Sequence, residues 1–288
     1  MLFLLSAGLT LIFGIMDMIN LAHGSLYMIG AYLVATITSA CGNFWLGLML
    51  GVMSTFFIGI LLELSVLRRL YQRDHLSQVM GTFAIMLICN ELVRLIWGVQ
   101  PLTLNPPSSL AGPIEIFPGF YYSSYGICII GFGLTIGLLL YLLITKTRLG
   151  MQVRAGSSNR EMALAMGINV NRLFTMIFGV GAALCSIAGG LLGPVLAVQV
   201  GMGESILILA FVVIVIGGIG SVRGAFFGAI IVGLIDTASR TLIPILFKAL
   251  MSSEAASNAA PAVASIMIYL MMATVLFIKP RGLFPTHG

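Results

Sequence analysis

The sequence predicts an all-α, polytopic membrane protein, and three observations carry that prediction. Only 8% of the 288 residues are charged and 59% are hydrophobic, with a mean hydropathy of +1.11; a soluble globular chain carries about 25% charged residues. Apolar runs recur at close to the roughly 20 residues that a bilayer-crossing helix requires. Runs such as Ile130 to Ile144 do not alternate in polarity, whereas the strands of a membrane β-barrel read as alternating segments of about 10 residues.

Nine apolar segments are expected, at roughly 1–17, 24–41, 44–66, 76–98, 123–145, 173–192, 204–220, 225–247 and 261–279. The first, sixth and seventh are short or interrupted by glycine, so eight to nine crossings are anticipated. The whole chain, 1–288, is one transmembrane domain, with a cytoplasmic loop at 146–172 inside it. The first run lacks the basic lead-in of a cleavable signal and passes straight into more membrane.

Lys and Arg set the orientation, because cytoplasmic loops retain positive charge. Arg68, Arg69 and Arg73 fall in 67–75; Lys146, Arg148, Arg154, Arg160 and Arg172 in 146–172; Arg223 in a turn; Lys279 and Arg281 in the tail. Strict alternation puts all of these inside, eleven of the fourteen basic residues, and leaves only Lys248 in the outer loops. Trp45, Trp97, Tyr121, Tyr122 and Tyr125 then fall at the outer interface, where an aromatic belt belongs. The net charge of +5 is thereby read as an orientation signal rather than a nucleic-acid surface. Alternation also places Met1 outside with an apolar run starting at once, which predicts a front that has been cut short or a misassigned start.

Four features invite a chemical reading. In the longest basic loop, Ser158 and Glu161 have the spacing of a capping box, with Asn159 and Arg160 between them and Gly167 where a helix would stop. The short helix between them presents Met162, Ala165 and Met166 on one stripe. It is too short to be stable alone, so it either docks on a cytoplasmic partner or lies as a solvated loop helix. Next, Gly217, Gly218, Gly220 and Gly224, with Gly228 following, allow close helix packing or a hinge. No Gly-Lys dipeptide occurs, so no phosphate-cradling loop of the G-x-x-x-x-G-K-[ST] type exists and the chain does not hydrolyse ATP by itself.

Ionisable residues inside the apolar runs form the third feature. Glu91 with Arg94, and Asp236 with Arg240, can pair on one helix face; Asn90 sits beside Glu91, and Glu63 reads as an interfacial residue near Arg68. The fourth is Met18-Ile-Asn20-Leu-Ala-His23-Gly24, a polar break where a helix unwinds and can line a cavity. His75 and His287 are remote, and Cys41, Cys89, Cys128 and Cys185 stand apart. No metal site is expected, and the cysteines read as small packing residues. Asn20, His23, Asn90 and Glu91 are the pathway candidates.

These motifs resemble the membrane permeases of branched-chain amino-acid ABC importers, the LivH-type subunit. The resemblance rests on Met18-Ile-Asn-Leu-Ala-His-Gly24 with Tyr27-Met-Ile-Gly30, on Gly217-Gly-Ile-Gly-Ser221 with Gly224-Ala, on Glu161-x-Ala163 with Gly167-Ile-Asn169, and on Lys279-Pro-Arg-Gly-Leu-Phe284. It implies a multi-pass protein of the bacterial inner membrane that is not an enzyme and binds no cofactor of its own, ATP being used by partner subunits. The partners implied are a second permease subunit, cytoplasmic ATP-binding subunits that receive the 158–167 helix, a periplasmic substrate-binding protein and membrane lipid, with no nucleic acid. Family members usually carry more sequence before Gly8-Leu-Thr-Leu-Ile-Phe-Gly14. Urea or short amides are alternative cargo. An ion-coupled secondary transporter is the rival mechanism, marked by an unpaired central ionisable residue, and an intramembrane enzyme is a more distant one.

Overall fold

The fold is described from a computed structural model covering residues 1–16, 18–71, 73–250 and 253–284, with side chains throughout except at 116, 117, 120, 160, 161, 250, 253–256 and 258. Long helices occupy all nine apolar segments. They are α1 (Leu2–Met16), α2 (Ala22–Cys41), α3 (Phe44–Leu62), α5 (His75–Trp97), α6 (Ser124–Lys146), α9 (Val170–Leu192), α10 (Met202–Gly217), α11 (Val222–Leu250) and α12 (Ser253–Ile278). α3 continues through a π turn at Glu63–Leu67 into α4 (Arg68–Leu70), and α7 (Arg148–Ser158) and α8 (Arg160–Ala165) fill the long basic loop. Among the described residues seven helices are long and apolar enough to cross a membrane, while α1 and α10 have only 15 and 16 residues. The sixth segment was expected to be short or interrupted by glycine; α9 instead runs unbroken for 23 residues. Its glycines do not interrupt it because neighbours fill their places: a Cβ on Gly189 would stand 2.5 Å from the Tyr27 carbonyl oxygen.

Local chemistry marks the helix starts. Asn43, Asp74, Ser123, Thr147 and Asn169 each accept a backbone N–H of the first turn of the helix that follows, satisfying donors that a helix N-terminus leaves orphaned. At the Asp74 cap the Ser77 hydroxyl and N–H hold the carboxyl below its usual range. Proline inside α11 (Pro244) and α12 (Pro261) is tolerated in membrane helices, where neighbours compensate the lost bond.

The helices gather around α1. Leu4, Leu5, Leu9 and Ile12 are fully buried, as expected of a helix that is apolar on every side. Of the α9 span 67% is buried, against 6% for α6, so α9 lies in the centre and α6 on the periphery. At one end of the bundle Gly14 meets Gly220, Ile15 approaches Gly156 of α7, and Arg68 reaches Thr175 at the start of α9. Leu102 and Val198 bridge the other end, where the Trp97 indole N–H donates to Thr36 Oγ1 at 2.7 Å and Trp45 stacks on Phe132. The basic loops share the first end, in agreement with the charge alternation.

Two features of the outer end differ from expectation. The stretch after α5 is not plain loop: Pro113–Phe117 (β1) and Phe120–Ser123 (β2) pair antiparallel, with Gly119 at φ +85° in the turn, a backbone conformation that favours glycine. Tyr125 does not belong to an exposed aromatic belt. It is buried, and its hydroxyl donates to the Leu191 carbonyl at 2.7 Å, tying α6 to the end of α9.

Candidate functional site

At the basic end the short helix forms, with a different cap from the one expected. Ser158 is the last residue of α7, because the Asn159 N–H still bonds the Ala155 carbonyl at 3.1 Å. The chain leaves the helical conformation only at Asn159 (φ −154°, ψ 104°), whose Oδ1 accepts the Met162 N–H at 2.9 Å. Asn159 therefore takes the place of the expected Ser158–Glu161 capping box. The side chains of Arg160 and Glu161 lie outside the described residues. Gly167 (φ +82°) ends the turn, with Ile168 N–H bonded to the Ala163 carbonyl and Gly167 N–H to that of Leu164, the pattern that closes a helix on a left-handed glycine. Ala163 is buried beneath the helix, while Met162, Leu164, Ala165 and Met166 face outward. A six-residue helix thus presents an apolar face and hands directly into α9.

Glu63, expected at the interface, is fully buried on the π turn. Its carboxylate accepts from Arg68 (3.4 Å), Tyr71 (3.2 Å) and Thr175 Oγ1 (2.8 Å), and Arg68 also donates to Thr175 at 2.9 Å. A buried carboxylate persists only when paired and hydrogen-bonded, and a π turn frequently marks a functional position. The cluster joins α3 and α4 to the first turns of α9, a few residues beyond α8.

The glycine-rich motif closes α10 onto α11. Gly217 and Gly224 touch backbone to backbone, since a Cβ on either would overlap the other's carbonyl, and a Cβ on Gly228 would stand 2.6 Å from the Val213 carbonyl oxygen. Gly218 (φ +103°) and Gly220 (φ +80°) make the turn between the helices. The carbonyls of Ile216 and Gly217 accept the N–H groups of Leu283 and Phe284, each at 2.9 Å. The tail motif is therefore the cap of α10, a pairing that neither motif discloses alone.

The polar break sits between α1 and α2. Asn20 is buried, and its Oδ1 accepts the Ala22 N–H at 3.1 Å, starting α2. His23, also fully buried, is wedged between α1 and α9, with Nε2 3.3 Å from the Leu5 carbonyl oxygen and 3.0 Å from Cys185 Sγ. Gly24 packs on Gly203, so the first turns of α2 and α10 meet. Asn90 joins this seam: its Nδ2 donates to Glu204 Oε1 at 2.5 Å. Glu91 does not join it, because neighbouring helix residues point about 100° apart; it pairs with Arg94 at 3.2 Å on an exposed face. Asp236 and Arg240 likewise pair at 2.7 Å.

The structure thus brings Asn20, His23 and Asn90 near one seam and leaves Glu91 outside it. Glu204 was missed, although it is an ionisable residue at the start of an apolar run; among the described residues no cation partners it. No group of three or more metal-ligating side chains occurs among the described residues.

A family model described as "Branched-chain amino acid transport system / permease component" matches residues 1–276. The high-affinity branched-chain amino acid transport system permease protein LivH of Salmonella typhimurium is 27% identical, over 97% of this chain and 90% of its own length. BraD of Pseudomonas aeruginosa, which carries the same description, is 28% identical over 81% and 80%. A probable LivH of Methanocaldococcus jannaschii is 31% identical over 82% and 76%. No solved structure matches the chain.

Proposed function

The chain belongs to the permease-component family of branched-chain amino acid transport systems, and we propose on that footing that it forms part of the translocation pathway of an ABC importer. It is a multi-pass protein of the inner membrane, with seven helices long enough to span among the described residues. The proposed cargo is branched-chain or other hydrophobic amino acids, with urea or short amides as the alternative. A second permease subunit would complete the pathway, a periplasmic binding protein would deliver cargo to the outer end, and separate ATP-binding subunits would drive the cycle. The chain itself would bind no cofactor.

The observation that carries this reading is α8: an exposed apolar face on a short, capped helix, at the basic end and continuous with α9. A driving subunit that grips α8 acts through Gly167–Asn169 on α9. α9 in turn packs against α1, α2 and α3 and, through Thr175, holds the Glu63 cluster. Only contacts that differ between two states can shift the balance between them, and α8 is where such contacts would be made. Glu161→Lys, reconstituted with all subunits, is expected to lower ATP-driven uptake about tenfold or more while leaving insertion intact, because reversing a contact charge at a subunit interface costs more than 1.4 kcal/mol, about a factor of ten. Unchanged uptake would remove α8 from the coupling path.

One observation favours the ion-coupled reading: Glu204 is an ionisable residue with an amide partner and no cation among the described residues. Uptake by the chain alone in proteoliposomes, dependent on an ion gradient and lost in Glu204→Gln, would establish that reading instead.

A further inference from the structure

We propose that the groove between α6 and α11 at the basic end holds an anionic phospholipid of the inner leaflet. This needs the basic end to face the cytoplasm but does not depend on the import reading. α6 is the most peripheral of the spanning helices, and near its inner end it stands apart from α11, with α1 forming the floor between them. Two cavities lie in this cleft, one above the other, and share Tyr141, Val222 and Arg223.

The cavity nearer the end, of about 200 Å³, has the chemistry of a headgroup site. Arg154 enters from α7 and Arg223 from the first turn of α11, with Thr145 and Ser221 on the rim. No carboxylate lines it, and neither arginine makes an ion pair among the described residues. Arg223 rests over the Tyr141 ring at 5.6 Å from its centroid, and Arg154 donates to the Ile144 carbonyl at the end of α6. In the floor lies Thr10, itself buried at 1% exposure.

The second cavity, of about 290 Å³, extends toward the middle of the membrane and is walled by Phe3, Gly137, Leu138 and Phe226. A soluble phosphate compound would use the first compartment alone. A basic polar compartment stacked on an apolar one matches a phosphodiester headgroup continued by an acyl chain, and basic pockets between helices on the cytoplasmic side are where anionic headgroups bind. Charge complementarity supplies the occupant: this end collects eleven of the fourteen basic residues, and it meets the leaflet surface that carries negative lipid.

The test uses the full chain, purified in mild detergent and examined by native mass spectrometry with phosphatidylglycerol or phosphatidylcholine of identical acyl chains. Phosphatidylglycerol should be retained about 25-fold better, since each of the two arginines contributes about a factor of five at such a surface. Arg223→Gln should lower that preference about fivefold. Arg223 is the better choice because Arg154 also holds the end of α6; if Arg223→Gln does not fold, the lipid preference of the unaltered chain and its competition by glycerol 3-phosphate decide. Excess glycerol 3-phosphate should not displace the lipid. Equal retention of the two lipids, or unchanged preference in the folded Arg223→Gln variant, would overturn the proposal. So would displacement by glycerol 3-phosphate, which would mark a soluble-anion site. A photoreactive residue at Leu138 in the assembled membrane complex should label lipid; labelling of a partner subunit instead would show the groove to be a protein interface.

Discussion

Arg68→Ala is expected to destabilise the protein by about 3–5 kcal/mol, the cost of stranding a buried charge when its partner is removed. At roughly 2–4 °C per kcal/mol for a domain of this size, thermal unfolding in detergent should fall by on the order of 10 °C. The effect is expected to be asymmetric. Glu63 is completely buried, whereas the Arg68 side chain is 39% exposed, so an arginine left alone can turn to water and a carboxylate left alone cannot. Glu63→Gln should therefore cost less, about 1–3 kcal/mol, mostly through weakened hydrogen bonds to Tyr71 and Thr175. Replacing both residues with methionine should restore much of the stability lost in Arg68→Ala, because apolar groups of similar volume avoid the desolvation penalty altogether. Equal losses in the two single variants would show that burial of Glu63 does not dominate the cluster.

The second large effect is expected within one helix, with opposite signs at two glycines. At Gly224 an added methyl would overlap the Gly217 carbonyl, and the overlap is with backbone rather than with a flexible side chain. Gly224→Ala must push α11 away from α10, at an overpacking cost of about 1–3 kcal/mol or more. It should also loosen the Leu283 and Phe284 hydrogen bonds, which depend on where α10 ends. At Gly233, further along α11, nothing lies within 4 Å of an added Cβ, and Gly233→Ala should stabilise the helix by about 0.5–1 kcal/mol. Thermal unfolding of the two variants side by side checks this, and a loss at both sites would mean that generic helix propensity, not contact, governs α11.

What could be read from the sequence follows what the membrane forces on it. A bilayer demands long apolar runs and short polar breaks, so the nine apolar segments were visible as pattern, whereas the caps at Asn43 and Asp74 emerged only with the structure. The gathering of basic residues at one end was visible for the same reason, as were the i,i+3 and i,i+4 pairs of Glu91 and Asp236. The family resemblance, drawn from four motifs, was borne out across nearly the whole chain. Features that depend on distant partners were not legible. Glu63 looked like an interfacial acid because Arg68 is close in sequence, while Thr175, which helps bury it, belongs to another helix. Tyr125 resembled a belt residue for want of any sign of the Leu191 carbonyl. Ser158 and Glu161 satisfied a capping rule whose outcome was decided by where α7 chose to end. Glu204 falls under the same rule as Glu91, but it stands at a segment boundary, and nothing in the sequence pairs it with Asn90 on a distant helix.

The clasp of Leu283 and Phe284 on α10 bears on how the protein is made. The residues that satisfy the carbonyls of Ile216 and Gly217 follow them in the chain only after both α11 and α12. Until the tail emerges, two carbonyls at the end of α10 must be served by water or by the insertion machinery. Closure of the glycine turn thus waits on the segment that follows α12, and a chain stalled before Leu283 would lack the contact that caps α10.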